Sequence, residues 1–189
     1  MNIIIKNHFL LYKGYKLKCS IGKSGITYSK KEGDLTTPKG LFGLGLLYYR
    51  KDKIKLLKCK IKKRAIKKGM GWCNDSKSKK YNQEISLPFK YGAEKLYRED
   101  KIYDIFINIK YNYHPIVKEK GSAIFLHLTD NNYKPTSGCV AIIKGKGSAI
   151  FLHLSNKKYK PTSGCVAIQK KDFLKILPLI NKNTKISIS

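Results

Sequence analysis

Residues 121–142, GSAIFLHLTDNNYKPTSGCVAI, return almost unchanged as residues 147–168, GSAIFLHLSNKKYKPTSGCVAI. The offset is 26 residues (147 − 121), and only positions 129–132 differ from positions 155–158. A solenoid needs at least three repeats stacked on one another and builds its whole chain that way. Two copies inside an otherwise non-repetitive chain are instead a tandem duplication within one domain. Without one copy, 163 of the 189 residues remain (189 − 26), which is enough for a single domain with a real core. We expect one domain over residues 1–189, with 121–146 and 147–172 as tandem copies of one segment.

Each copy reads as an apolar strand ending in His, a polar loop, and Pro-Thr-Ser-Gly-Cys opening a second strand. The His-to-Cys step is twelve residues in both, from His127 to Cys139 and from His153 to Cys165 (139 − 127 and 165 − 153). A strand–loop–strand of that length brings the start of the second strand back to the end of the first. The imidazole then stands beside the thiol, where it can draw off the proton and leave a thiolate. Glycine before the cysteine lets a substrate carbonyl approach the backbone, and the neighbouring N–H groups can cradle an oxyanion. A lone Cys or His on an apolar strand is usually a packed core residue, so the pairing carries the chemical reading. Two His and two Cys could also bind zinc. Zinc ligands usually come as close pairs such as C-x₂₋₄-C, which this spacing lacks, so no metal and no cofactor are expected.

Around the repeat the pattern is β-rich. Apolar or alternating runs predict strands near residues 9–12, 15–21, 41–49, 103–109, 122–128, 138–143, 148–154 and 164–168, with a last strand at 185–189 closing the sheet. Helices are expected over 92–100 and 171–180; in the second, Phe173, Leu174, Ile176, Leu177 and Ile180 fall close to one face, with Asp172 in the first turn. Residues 50–90 read as polar, Lys-rich loops. The fold class is mainly β, a β-rich α+β chain with a C-terminal helix and few peripheral helices.

The formal charge is +28, from 40 Lys and Arg against 12 Asp and Glu. Such a charge suggests an anionic partner, nucleic acid first. Only Arg50, Arg64 and Arg98 are arginine, leaving 37 Lys (40 − 3) spread along the chain. A dedicated reader of phosphates and base edges would use more arginine, so no specific nucleic-acid partner is expected. The densest run, Lys58–Lys68, reads as a solvated strand or loop rather than an anion patch. Five cysteines without a CxxC pair do not make a disulfide framework. No apolar run approaches the ~20 residues of a membrane span. The opening MNIIIKNHFLLYKGYK lacks the unbroken apolar core of a secretory signal.

Ser-Gly-Cys-Val after an upstream strand histidine resembles the active-site signature of the L,D-transpeptidase catalytic domain family (YkuD-type). The resemblance extends to LKCSIGKSGITYSKKEGDLTTPKGLFGL (17–44), with Gly22, Gly25, Gly33, Asp34, Thr37, Pro38 and Gly40 in the family's order. It also takes in GWCND (71–75), Tyr81-Asn82, LPF (87–89), Glu94 and YREDKIYDIFINIKYN (97–112), which are similar to a compact bacterial subgroup. It implies a mixed sheet or sandwich. It also implies Cys165 or its twin Cys139 as nucleophile, and His153 or its twin His127 as base. Backbone N–H groups around Gly164-Cys165 or Gly138-Cys139 would hold the oxyanion, and Ser163-Gly164 or Ser137-Gly138 would bind substrate. The implied substrate is a peptidoglycan tetrapeptide stem, cut at a diamino-acid carbonyl with release of D-alanine. The neighbouring stem's amine would resolve the thioester into a cross-link, and water would make the enzyme a carboxypeptidase or endopeptidase. The better-known signature carries His where Ser137 and Ser163 stand, and Arg where Ala141 and Ala167 stand.

Cys165 is the favoured nucleophile because it leads into the helix at 171–180; a hybrid of His127 with Cys165 is a further arrangement. Thr37-Pro38-Lys39-Gly40 reads as a supporting turn. The family implies an envelope or periplasmic location, with electrostatic contact to anionic envelope polymers, and a monomer is expected. The reading from another class is a basic, non-catalytic module that binds nucleic acid or another polyanion.

Overall fold

The first eighteen residues form two hairpins in succession. Strands β1 (Ile3–Lys6), β2 (Phe9–Tyr12) and β3 (Tyr15–Lys18) pair antiparallel with registers Lys6↔Phe9 and Tyr12↔Tyr15. Both two-residue turns carry positive φ at both positions, Asn7 (49°) and His8 (61°), then Lys13 (46°) and Gly14 (83°). That is the mirror-image turn whose twist matches the twist of paired strands. Alternation puts Ile3, Ile5, Leu10 and Tyr12 in the core and leaves Ile4 outside.

The computed structural model describes residues 1–55, 57–128 and 165–189. Further along lie β4 (Ile26–Thr27), β5 (Thr37–Pro38), the long β6 (Gly40–Tyr49), β7 (Lys63–Ala65), β8 (Met70–Cys73), β9 (Glu84–Ser86) and β10 (Ala93–Lys95). After them come β11 (Ile105–Ile109), β12 (Phe125–His127), β13 (Val166–Ala167), helix α1 (Lys170–Ile176), a 3₁₀ turn at Leu177–Leu179 and β14 (Lys185–Ile188). The main mixed sheet runs β13-β12-β11-β6-β14-β1-β2-β3, with β7 alongside β6. A second sheet, β10-β8-β9, and the pair β4-β5 complete the strands among the described residues. The fold is mainly β, as its pattern predicts. Among the described residues no helix is long and apolar enough to cross a membrane.

The last strand enters the middle of the sheet, parallel to β1 and antiparallel to β6. The two chain ends therefore lock each other. β6 and β11 form the spine beside it, and β11 is buried along its whole length. Aromatic rings fill the space beyond β11: Phe106 stacks on Tyr48 with centroids 4.7 Å apart and meets Phe125 at 4.6 Å. Trp72, from the second sheet, packs edge-on against Phe125 at 5.2 Å.

Three expectations need correction. Residues 92–100 are not a helix; Ala93–Lys95 is a strand paired with Met70–Cys73, with Glu94 opposite Trp72. A nine-residue charged segment has little intrinsic helix stability, and pairing with a waiting strand outweighs it. Residues 50–90 are not all loops, since β7, β8 and β9 lie within them. Gly71 shows how closely that second sheet packs: a Cβ there would lie 2.8 Å from Ile85 Cδ1 and 3.3 Å from the Glu94 carbonyl oxygen. The C-terminal helix is shorter than 171–180, because Pro178 turns its end into the 3₁₀ segment. The strands expected at 138–143 and 148–154 lie outside the described residues.

Phe106 is fully buried where three other aromatic rings meet it. Phe106→Ala is expected to lower stability by about 3–5 kcal/mol, seen in urea unfolding as a lower midpoint with an unchanged slope.

Candidate active site

Strand β12 comes from the first repeat copy and β13 from the second, and the two pair in parallel with registers Leu126↔Val166 and His127↔Ala167. Paired residues share a face and alternate positions repeat it, so Cys165, Ala167, Phe125 and His127 project to the same side. Cys165 and His127 are both fully buried. The Cys165 thiol donates to the Ala123 carbonyl oxygen at 3.4 Å, and the Phe125 N–H donates to Cys165 Sγ at 3.4 Å.

His127 Nδ1 lies 2.6 Å from the Leu128 carbonyl oxygen. A carbonyl only accepts, so Nδ1 carries the proton and Nε2 carries the lone pair of the neutral ring. The Tyr103 ring stands edge-on to the imidazole, with centroids 5.4 Å apart. Tyr103 in turn hydrogen-bonds Glu94, whose carboxyl is pushed up by burial and only partly drawn back by Tyr103 and Arg98. Such a ring is held in one plane by packing on its face and one bond at its Nδ1.

Strand β13 is two residues long and needs support from outside its ladder. Ser20 supplies part of it, exchanging backbone bonds with Ala167 at 3.1 and 3.0 Å. Thr37 supplies more: its buried hydroxyl accepts from the Gly22 N–H at 2.7 Å and donates to the Cys165 carbonyl oxygen at 3.4 Å. Thr37-Pro38 is therefore an extended strand against β4, not a turn, and it anchors the backbone of the cysteine.

The loop that delivers Thr37 is itself clamped. Asp34 accepts from Lys30 Nζ at 2.7 Å and from the Lys31 and Thr36 N–H groups. The Lys30 side chain is only 3% exposed. It packs on Gly121, where φ is +95° and a Cβ would lie 2.9 Å from Lys30 Cε. The first glycine of the repeat is thus required by a neighbour far away in sequence.

The structure places His127 at the end of β12 and Cys165 directly before β13, the strand that pairs with it. Cys139, His153, Ser137, Gly138, Ser163 and Gly164 lie outside the described residues. The hydroxyl of Thr37 went unseen in the sequence reading; its only sequence signal is the Thr-Pro-x-Gly pattern. The Lys58–Lys68 run contributes β7, whose Lys63 and Arg64 side chains are exposed, with Arg64 paired to Glu84. Lys63, Arg64, Lys67 and Lys68 line a separate groove of about 540 Å³.

A family model described as the L,D-transpeptidase catalytic domain matches residues 3–144. Neither a curated protein nor a solved structure matches the chain.

The Asp34 carboxyl would be raised by burial, but its bonds from Lys30, Lys31 and Thr36 outweigh that and hold it below the ordinary carboxylate range. A depressed folded-state pKa stabilises the fold above the unfolded value of roughly 4, and the benefit is lost as pH falls through the folded value. Asp34→Asn should therefore cost about 1–3 kcal/mol at neutral pH. In chemical denaturation at several pH values, the gap to the parent protein should close as pH falls below the ordinary carboxylate range.

Proposed function

The chain belongs to the L,D-transpeptidase catalytic domain family, and from that premise we propose that it carries out cysteine-dependent acyl transfer on peptidoglycan stem peptides. The observation that carries the reading is the meeting of β12 and β13, which sets a buried histidine and a buried cysteine on one face of two adjacent strands. The nucleophile is Cys165 and the base is His127. The alternatives are the pairs within one copy, Cys165 with His153 and Cys139 with His127.

His127 Nε2 takes the thiol proton, and Cys165 Sγ attacks the carbonyl carbon of the diamino-acid residue in a tetrapeptide stem. The carbonyl electrons move onto oxygen, where backbone N–H groups around Gly164-Cys165 hold the negative charge. Collapse breaks the peptide bond; the D-alanine amine leaves with the proton from His127, and a thioester remains. The side-chain amine of a second stem then attacks the thioester, forms the cross-link and regenerates the thiol. Tyr103 and the Leu128 carbonyl keep the imidazole in one orientation through both proton transfers. The +28 charge supports action against an anionic cell envelope, as a monomer.

The test is mass spectrometry of purified disaccharide-tetrapeptide before and after incubation with the protein. Loss of D-alanine with formation of a cross-linked dimer is expected. Loss of D-alanine without dimer would assign hydrolysis instead, and no change would overturn the proposal. Cys165→Ala should abolish the reaction while Cys139→Ala retains it; the reverse pattern would move the site to the first copy.

A further inference from the structure

We infer that Asn82 is a positioning residue for the nucleophile: it holds Ala123 in the left-handed conformation that aims the Ala123 carbonyl at the Cys165 thiol. The inference rests on the reading of Cys165 as the nucleophile.

Asn82 is 5% exposed and lies on a turn after β8, itself at φ +55°. Asparagine is among the few non-glycine residues that accept this region readily. All four hydrogen-bonding positions of its amide have partners. Oδ1 accepts from Trp72 Nε1 at 3.0 Å and from the Ala123 N–H at 3.0 Å. Nδ2 donates to the Asn112 carbonyl at 2.7 Å and the Tyr111 carbonyl at 3.3 Å. Two donors on one side and two acceptors on the other leave only one orientation for the amide.

Ala123 is the residue that needs holding. It has φ +51°, a conformation unfavourable for alanine, and it lies before β12 begins. The bond from its N–H to Asn82 fixes the peptide on one side, and its carbonyl receives the thiol proton on the other. The second partner of the sulfur, the Phe125 N–H, is held independently, because Phe125 is paired with Asn108 in the β11–β12 ladder. Asn82 therefore governs the Ala123 contact on the sulfur, and the ladder governs the Phe125 contact.

Removing Asn82 should remove the acceptor and spare the donor. An S–H bond to a carbonyl favours the thiol, and an N–H bond to sulfur favours the thiolate. The thiol should then ionise more easily but be less well aimed. His127, on the neighbouring strand, is unaltered in each variant.

The experiment compares the full-length chain with Asn82→Leu, Asn82→Asp, and Asn82→Leu combined with Ala123→Gly. Cys165 alkylation is followed against pH by peptide mass spectrometry, which separates the two copies through Ile143 and Gln169. Turnover of the disaccharide-tetrapeptide is measured alongside. For Asn82→Leu we expect the alkylation midpoint to fall by at least half a pH unit and kcat to fall about tenfold with KM nearly unchanged. Asn82→Asp keeps the acceptor for Trp72 and Ala123 but turns its other oxygen toward the Asn112 and Tyr111 carbonyls, so it should lose stability without lowering the alkylation midpoint, which also covers the case in which the leucine variant fails to fold. Ala123→Gly accepts φ +51° without strain and should restore part of the lost kcat. A folded Asn82→Leu protein with unchanged midpoint and kcat, or an Asn82→Asp protein whose midpoint falls as far as the leucine variant's, would overturn the inference. Rapid labelling at Cys139 instead of Cys165 in the parent protein would overturn the nucleophile assignment itself.

Discussion

The parallel contact between β12 and β13 is two residue pairs long, and every feature of the site depends on it. A ladder that short contributes little by itself, since a few backbone bonds barely offset the entropy of ordering the strand. It persists because four other parts of the chain hold it. Ser20 bridges Ala167, and Thr37 bonds the Cys165 carbonyl across 128 positions of sequence. Helix α1 follows directly, burying Phe173 and Ile176, and the aromatic cluster around Phe106 and Phe125 supports β12 from behind. The position of Cys165 therefore depends on contacts from the N-terminal half of the chain.

The near-identity of the two repeat copies bears on the same contact. The two copies are nearly identical, so a core that needs one His-bearing strand and one Cys-bearing strand can take the first from copy one and the second from copy two. Joining His127 to Cys165 lengthens the intervening chain from 11 residues to 37 (139 − 127 − 1 and 165 − 127 − 1). By the logarithmic dependence of closure entropy on length, that costs only about 1 kcal/mol. Among the described residues, the main sheet runs from β13 to β3.

Much of this was legible beforehand, for identifiable reasons. Long apolar runs gave away β6 and β11, and the repeat marked β12 and the Cys-bearing strand, because burial on one or both faces writes a pattern into the sequence. Ile3–Lys6 was missed because IIIK is too short to show its alternation. The strand at Ala93–Lys95 was misread because its partner, Met70–Cys73, dictates its conformation while its own residues do not. The roles of Thr37 and Asn82 could not be derived from local pattern at all. Each is a small polar residue whose partner lies elsewhere in the chain, Cys165 for one and Ala123 for the other. Net charge proved the least informative feature. Only 12 acidic residues oppose 40 basic ones, yet the sulfur and imidazole at the centre sit among aromatic rings and backbone amides. Among the described lysines Lys30 is the exception, buried and paired with Asp34 in the loop that carries Thr37.

Comparing His127→Ala with His153→Ala in the full-length chain tests most directly whether one site is assembled from one strand of each copy, because only one of the two histidines lies on the strand that meets the Cys165 segment. The expected result is loss of stem-peptide turnover in His127→Ala, with His153→Ala within about threefold of the parent. Loss of turnover in His153→Ala while His127→Ala remains folded and active would contradict it.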